Sequence, residues 1–416
     1  MFDMQAQWDR PAHNGSRSEE HVLRVRLIPR AQSGAGLPLH LAIALDTSSS
    51  MEGRKIEQAK SACRAVLGLL RPQDRISVCT YSTGVSEIGC DIAAGSAEMA
   101  SLDGNLSSVS ASGVTRVDLA LDWLRTVLAN KSNGVACGVI VTDGHPTDPR
   151  GGLIADVSPF VTAAAGLFRM GVRLYTIGLG DAADFNTDFL REMGDRSGGG
   201  FLYAETPELL SPLLRDRLRV SQLAVSSSVS LRVAALLPGI SLVSFCRLRP
   251  EYLPLESAGS PGGRNTQVEL GTIRGDAPTD VLLRFEVPGQ GVGASQGAHN
   301  ALDLKVVTKS GASPRQTVSL KYTSSYAESQ QINQEVDRDR LMWDTNAFSE
   351  LLVATHDPNK TADLLSRIVH TATRAGLVQT ASNASKNLTK LKASGRITKH
   401  DTTSILTNAR GDTADS

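Results

Sequence analysis

The residues with the most chemical content in this chain are oxygen donors. An apolar run at 41–45 (LAIAL) ends in Asp46-Thr47-Ser48-Ser49-Ser50-Met51, so one carboxylate is followed by hydroxyls at a spacing of two. A tight loop turns such a set toward one point. Hard oxygen donors suit Mg2+, which takes near-octahedral geometry at about 2.0–2.1 Å and usually keeps several waters. Thr115, in SGVT, adds a hydroxyl just before an expected helix, and Asp143, in VTDG, adds a second carboxylate at the end of the run CGVIVT. Each fragment alone has an ordinary structural use, because Asp, Ser and Thr cap helices and Asp-Gly makes turns. In this order, with helices expected between them, Asp46, Ser48, Ser50, Thr115 and Asp143 make a candidate divalent-cation site. The same oxygens serve Mn2+ and Ca2+, so the choice among the three metals stays open. Arg116 and His145 are candidate rim contacts for a partner, set against a paired Arg and a plain loop His.

These pieces lie where an open α/β sheet binds ligands, outside the carboxyl ends of its strands near the point where the strand order reverses. The runs at 41–45, 75–81, 137–142, 173–179 and 200–204 read as strands. The spacing predicts helices over 55–70, 117–128, 157–168, 187–193 and 207–218. Short connections between alternating β and α elements imply a mainly parallel, doubly wound sheet. After residue 218 the period changes. Six alternating runs at 223–233, 240–248, 267–273, 280–287, 301–307 and 316–322, separated by Gly, Pro and Ser clusters, argue for an antiparallel β-sandwich. The run HVLRVRLI at 21–28 has the same half-polar alternation, which places it in that sandwich with the α/β domain inserted between its parts. Beyond Ser325, helices are expected over 332–355 and 361–375, and the last dozen residues read as frayed. The expected organisation is a polar tail over 1–18, a sandwich strand over 19–31, the α/β domain over 32–218, the sandwich over 219–325 and a helical region over 326–416.

A length of 416 residues calls for two or three domains, and a balance of 43 Lys+Arg against 43 Asp+Glu removes the long-range field that nucleic-acid binding uses. No apolar stretch reaches the roughly 18 residues needed to span a bilayer, and the N-terminus lacks the pattern of a secretory signal. The five cysteines are odd in number, form no CxxC pair and read as reduced core thiols. Together these readings predict a cytoplasmic protein. The sequence carries no GxxxxGK[ST] or HExxH pattern, and no general base beside the metal site is evident, so an interaction module is expected rather than an enzyme.

The pattern DxSxS, then a Thr in a Gly-containing loop, then Asp in a TDG turn resembles the metal-ion-dependent adhesion site of the von Willebrand factor type A (vWA) family. The match covers about 38–218 and extends to IGLGD and the FLREMGDRSGGGFLYAETPELLSPLL stretch that follows. The resemblance implies that Ser48, Ser50 and Thr115 touch Mg2+ through hydroxyls, that Asp46 and Asp143 act mainly through bound water, and that a partner's Asp or Glu fills the open position. Val114 before the Thr departs from the family's usual Gly-Gly-Thr. The domain order is similar to bacterial vWA proteins akin to inter-alpha-trypsin inhibitor heavy chains. The implied function is a metal-dependent scaffold or adaptor. The alternatives are a self-assembling subunit using the same site, an adaptor of an AAA-type ATPase and, last, a Mg2+-dependent hydrolase.

Overall fold

The computed structural model describes residues 2–30, 36–129, 131, 134–143, 145–179, 186–204, 215, 217–218, 221–255, 264–289, 296–308, 311–355 and 357–414. The chain divides into two compact units. One comprises residues 31–229 with 271–275; the other comprises 1–30, 230–270 and 276–416.

The α/β unit begins with a strand at Leu39–Asp46. With three short N-terminal strands preceding it (β1 Phe2–Trp8, β2 Ala12–Asn14, β3 Glu19–Pro29), this is β4. Its sheet contains β5 (Arg75–Tyr81), β6 (Val85–Ala93), β7 (Val135–Thr142), β8 (Val172–Leu179) and β9 (Gly198–Ala204), in the order β6-β5-β4-β7-β8-β9. Only β6, at one edge, runs antiparallel to its neighbour. The chain passes from β4 to β5 on one side and later to β7 on the other, so the order reverses between β4 and β7. The two faces of β4 carry different residues. Leu39, Leu41, Ile43 and Leu45 pack with Ile56, Ala59 and Cys63 of helix α1 (Arg54–Leu67) and with Leu102 and Leu106 of α2 (Ala97–Ser107). Ala42 and Ala44 pack with Val117, Leu121 and Leu124 of α3 (Val117–Leu128), in a cluster that also holds Phe160 and Leu167 of α4 (Ser158–Arg169) and Phe189 and Met193 of α5 (Thr187–Arg196). A strand covered on both sides reads as a continuous apolar run, as 41–45 does. β6 and α2 lack such a signal. β6 is largely exposed, with the polar sequence VSEIGCDIA, and α2 buries only Leu102 and Leu106. The helix expected over 207–218 lies almost wholly outside the described residues.

The second unit is a β-sandwich with helices. One sheet has the order β1-β3-β14-β11-β12, with β11 at Ser241–Arg249, β12 at Leu253–Pro254 and β14 at Thr279–Val287. The other has the order β13-β10-β15-β17-β2, with β10 at Ala224–Ala235, β13 at Asn265–Arg274, β15 at Gly297–Thr308, β16 (Gly311–Ala312) paired to β15, and β17 at Gln316–Thr323. The pairings of β1 with β3, β3 with β14, β14 with β11, β11 with β12, and β15 with β16 and β17 are antiparallel, and β17 pairs with β2 in parallel. The 1–18 segment, expected to be a tail, instead supplies β1 and β2. In β1 exposed and half-buried residues alternate before Trp8 is buried, the mark of an edge strand, and it pairs with β3 along its whole length.

Alternation along β3 also differs from expectation. His21, Leu23, Val25 and Leu27 face the sandwich interior opposite Phe285, Leu283, Val281 and Thr279. The other face is covered as well: Val22, Cys246, Leu248 and Leu282 pack with Leu341, Met342 and Trp343 of α6 (Gln334–Ala354). Arg24, expected at a solvated face, is therefore 5% exposed and ion-paired to Asp339 at 3.0 Å. Three further helices follow: α7 (Pro358–Ala375), α8 (Val378–Ser394) and α9 (Lys399–Ala414). α9 replaces the expected frayed end. Its seam is polar, with Ile405, Leu406 and Ala409 buried beside Thr413, whose hydroxyl accepts from the Asn346 side-chain amide at 2.9 Å. Apolar periodicity alone does not reveal such a helix.

All five cysteines are free thiols, and Cys63, Cys79, Cys137 and Cys246 are buried as expected, but Cys90 is exposed. It sits on edge strand β6. Burial pushes the Cys63 and Cys137 thiols up to about 12. Reaction needs the thiolate. Iodoacetamide at neutral pH is expected to add one adduct to the native protein and five after denaturation, read by intact mass; two or more rapid native adducts would contradict the packing.

Candidate metal centre

β4 ends at Asp46 and β7 at Thr142, with Asp143 next, so both carboxylates lie at carboxyl ends of the two strands that flank the reversal of strand order. Asp46 is fully buried. Its Oδ1 accepts the Ser48 backbone N–H at 2.8 Å and its Oδ2 accepts the Thr142 hydroxyl at 2.6 Å. Burial pushes the Asp46 carboxyl up to about 6, the two hydrogen-bond partners oppose that shift, and neighbouring Asp143 adds to it. The Ser48 and Ser50 hydroxyl oxygens are 3.0 Å apart. A short 3-10 turn, Ser49–Met51, follows, and then Gly53 at φ +79°, a left-handed conformation that glycine adopts without strain, starts α1.

The Thr115 loop is stitched to this one. Ser49 N and Oγ both donate to the Gly113 carbonyl at 3.0 Å, and Ser112 N donates to the Thr47 carbonyl at 2.6 Å. Gly113 has φ +85°, and a Cβ there would sit 2.5 Å from the Thr83 hydroxyl, so the close approach requires glycine. A third loop, after β7, clasps the second. The Thr115 N–H donates to Thr147 Oγ1 at 2.8 Å and the Thr147 N–H returns a bond to the Thr115 carbonyl at 2.9 Å. Thr115 and Asp143 are 3% and 2% exposed. Asp143 Oδ2 lies 3.7 Å from the Lys55 ammonium, while Asp143 Oδ1 is buried with no hydrogen-bond partner among the described residues.

Such an orphaned carboxylate oxygen is costly to bury unless a cation meets it. Asp46 is a second buried carboxylate close to it, the Asp46 loop carries the paired Ser48 and Ser50 hydroxyls, and the Thr115 loop is tied to the loops of both carboxylates; all are oxygen donors, so the residues fit Mg2+ or a similar divalent ion. Asp46, Ser48, Ser50, Thr115 and Asp143 would hold it. The two rim candidates differ. Arg116 forms a bidentate pair with Asp118, Nε to Oδ1 at 2.8 Å and Nη2 to Oδ2 at 2.5 Å. His145 is exposed. Sequence reasoning missed Thr142, Thr147 and Lys55, which support the ligands rather than form the motif; only the position of Thr142 just before Asp143 gave a signal. A GxSxG spelling, GASQG at 293–297, lies mostly outside the described residues, and its last glycine begins β15.

Thr147→Val is expected to leave the Thr115 N–H unpaired, lowering stability by about 1–3 kcal/mol and Mg2+ affinity about tenfold. Denaturant unfolding and calorimetric titration measure both; unchanged Mg2+ affinity would mean the third loop does not set the position of Thr115.

Residues 40–211 match the family model for the von Willebrand factor type A domain. An uncharacterised protein of Synechocystis is 25% identical over 291 residues, 67% of this chain and 65% of that protein. Human inter-alpha-trypsin inhibitor heavy chain H1 is 26% identical over 168 residues, 38% of this chain but 18% of its own length. The chain thus spans about two thirds of the first relative and under a fifth of the second. Among solved structures, a von Willebrand factor type A protein from Catenulispora acidiphila superposes with a TM-score of 0.78 at 16% identity, covering 98% of this chain and 96% of that one. The ArnB paralog VWA2 from Sulfolobus acidocaldarius gives 0.62 at 16% identity, covering 99% of each chain. At that identity the likeness shows a shared fold. No helix among the described residues is long and apolar enough to cross a membrane.

Proposed function

We propose that this protein binds a protein partner through Mg2+ held by Asp46, Ser48, Ser50, Thr115 and Asp143, because residues 40–211 match the family model for the von Willebrand factor type A domain, a family that commonly mediates metal-dependent protein-protein interaction. The observation that carries this reading is the buried, unpartnered Oδ1 of Asp143 beside the fully buried Asp46. The bound ion supplies an electrophilic position for an Asp or Glu of the partner. The chain's own residues do the rest. Thr142 and the Ser48 N–H orient Asp46, the Gly113 and Thr147 contacts fix the backbone of the Thr115 loop, and Lys55 balances part of the charge of Asp143. His145 lies at the exposed rim, where a partner would pass. Arg116 is assigned to the framework through Asp118. The free, mostly buried cysteines support a reducing, cytoplasmic setting.

The test is capture of partners from extract on immobilised protein in Mg2+, in EDTA, and with Asp46→Ala in Mg2+. The expected result is one or more proteins retained only by the wild type with Mg2+. Equal capture under all three conditions would overturn the reading, and phosphoester or nucleotide hydrolysis lost in Asp46→Ala would replace it with an enzymatic one.

A further inference from the structure

Two buried imidazoles lie between the sheets of the sandwich. His13, on β2, and His21, on β3, are both fully buried, and His13 Nδ1 faces His21 Nε2 at 3.1 Å. The strands belong to different sheets. Tyr322 stacks edge-on against His13 at 4.9 Å and Trp8 against His21 at 6.1 Å between ring centroids, so the pair sits in an aromatic box. One ligand atom from each of His13, Glu19 and His21 lies within 4.8 Å of the others.

The hydrogen-bond requirements of the two rings conflict. His21 Nδ1 lies 3.4 Å from Asp9 Oδ1, an oxygen that already accepts the backbone N–H groups of Arg10 and Val22 at 2.9 and 3.1 Å. That nitrogen makes no hydrogen bond among the described residues; with the hydrogen on it, toward the carboxylate, Nε2 of His21 presents a bare lone pair to His13. If His13 answers with a hydrogen on Nδ1, its Nε2 is left as a buried acceptor, and no donor meets it. If instead His13 carries hydrogen on Nε2, toward the neighbouring Pro288 carbonyl, two lone pairs face each other at 3.1 Å. A metal ion settles the conflict at neutral pH: each facing nitrogen becomes a ligand, and each outer nitrogen keeps the hydrogen its neighbour wants.

We propose that His13, His21 and Glu19 form a second metal site, for Zn2+, that ties the two sheets together. Tetrahedral Zn2+ with Zn–N of about 2.0–2.1 Å holds two nitrogens about 3.3 Å apart, close to the observed spacing. Imidazole donors select Zn2+ over Mg2+ or Ca2+. Asp9 against the outer nitrogen of His21 is the carboxylate–histidine–metal arrangement that orients such ligands. Glu19 is gripped by Arg10 at 3.0 Å and Arg17 at 2.5 Å; each carboxylate oxygen keeps a second lone pair for the metal. Water completes the four positions. This site belongs to the sandwich unit and does not depend on the Mg2+ reading.

The test uses the full chain, stripped with chelator and held in millimolar Mg2+, titrated with Co2+ and then Zn2+. The expected result is one Co2+ per chain with the intense visible bands of a tetrahedral site, displacement by one Zn2+, and a raised Tm. Glu19→Gln, which keeps both imidazoles, should shift the Co2+ spectrum, and His13→Asn should abolish it. Absence of tetrahedral bands in the wild type, or a spectrum unchanged by either substitution, would overturn the proposal whatever happens at the Asp46 site.

Discussion

Asp339→Ala is expected to lower the stability of the sandwich unit by about 3–5 kcal/mol, the cost of leaving a buried charge without its partner. Asp339, on α6, is 3% exposed and accepts from Arg24 Nη1 at 3.0 Å and Arg249 Nη1 at 2.7 Å. Arg249 reaches on to Asp280, which is 1% exposed and takes Arg26 in a bidentate pair at 2.7 and 2.9 Å. With Glu335 on Arg24 at 2.9 Å, three guanidinium groups balance three carboxylates between β3, β11, β14 and α6. Removing Asp339 leaves Arg24, 5% exposed, beneath a helix with, among the described residues, only the exposed Glu335 and the Gln7 side chain as acceptors. Denaturant unfolding followed by tryptophan fluorescence reads the loss. Asp363→Ala on α7, an exposed i,i+4 partner of Arg367, is the control and should change stability by about 0.5 kcal/mol or less. A loss below about 1 kcal/mol for Asp339→Ala would mean that water reaches the cluster.

Asp143→Ala is expected to have an effect whose sign depends on the metal. The wild type should gain about 2.7 kcal/mol when Mg2+ is present at one hundred times its dissociation constant, and the variant should gain nothing. Without metal the order changes, because Asp143 is a buried carboxylate with one orphaned oxygen and a like-charged neighbour in Asp46. Its removal then costs little or stabilises. Thermal melts of both proteins with EDTA and with Mg2+ test the crossover, and equal Mg2+ gains in the two proteins would rule out Asp143 as a ligand.

The α/β architecture was legible because its central strands are covered on both faces and its helices carry apolar stripes. The ligand motif was legible because DxSxS puts its donors within one turn. What escaped the sequence are features whose signal is pairwise. β1 and β2 lie in a polar stretch that becomes structure only by pairing with β3 and β17. Arg24 and Arg26 looked solvated because the acids that neutralise them lie more than 250 residues away. α9 hid for a similar reason: its buried face includes Thr402 and Thr413, residues that read as surface until their hydrogen bonds are seen. Arg116 was ambiguous in sequence, and the structure adds its pairing with Asp118 two residues on.

Five residues on three loops, Asp46, Ser48, Ser50, Thr115 and Asp143, are proposed to hold one divalent ion. Mn2+ binding to the full chain, followed by electron paramagnetic resonance and counting only ions that Mg2+ displaces, measures this directly. One such Mn2+ per chain is expected in the wild type and none in Asp46→Ala or Asp143→Ala. No Mg2+-displaceable Mn2+ in the wild type, or the same amount retained by both variants, would contradict it.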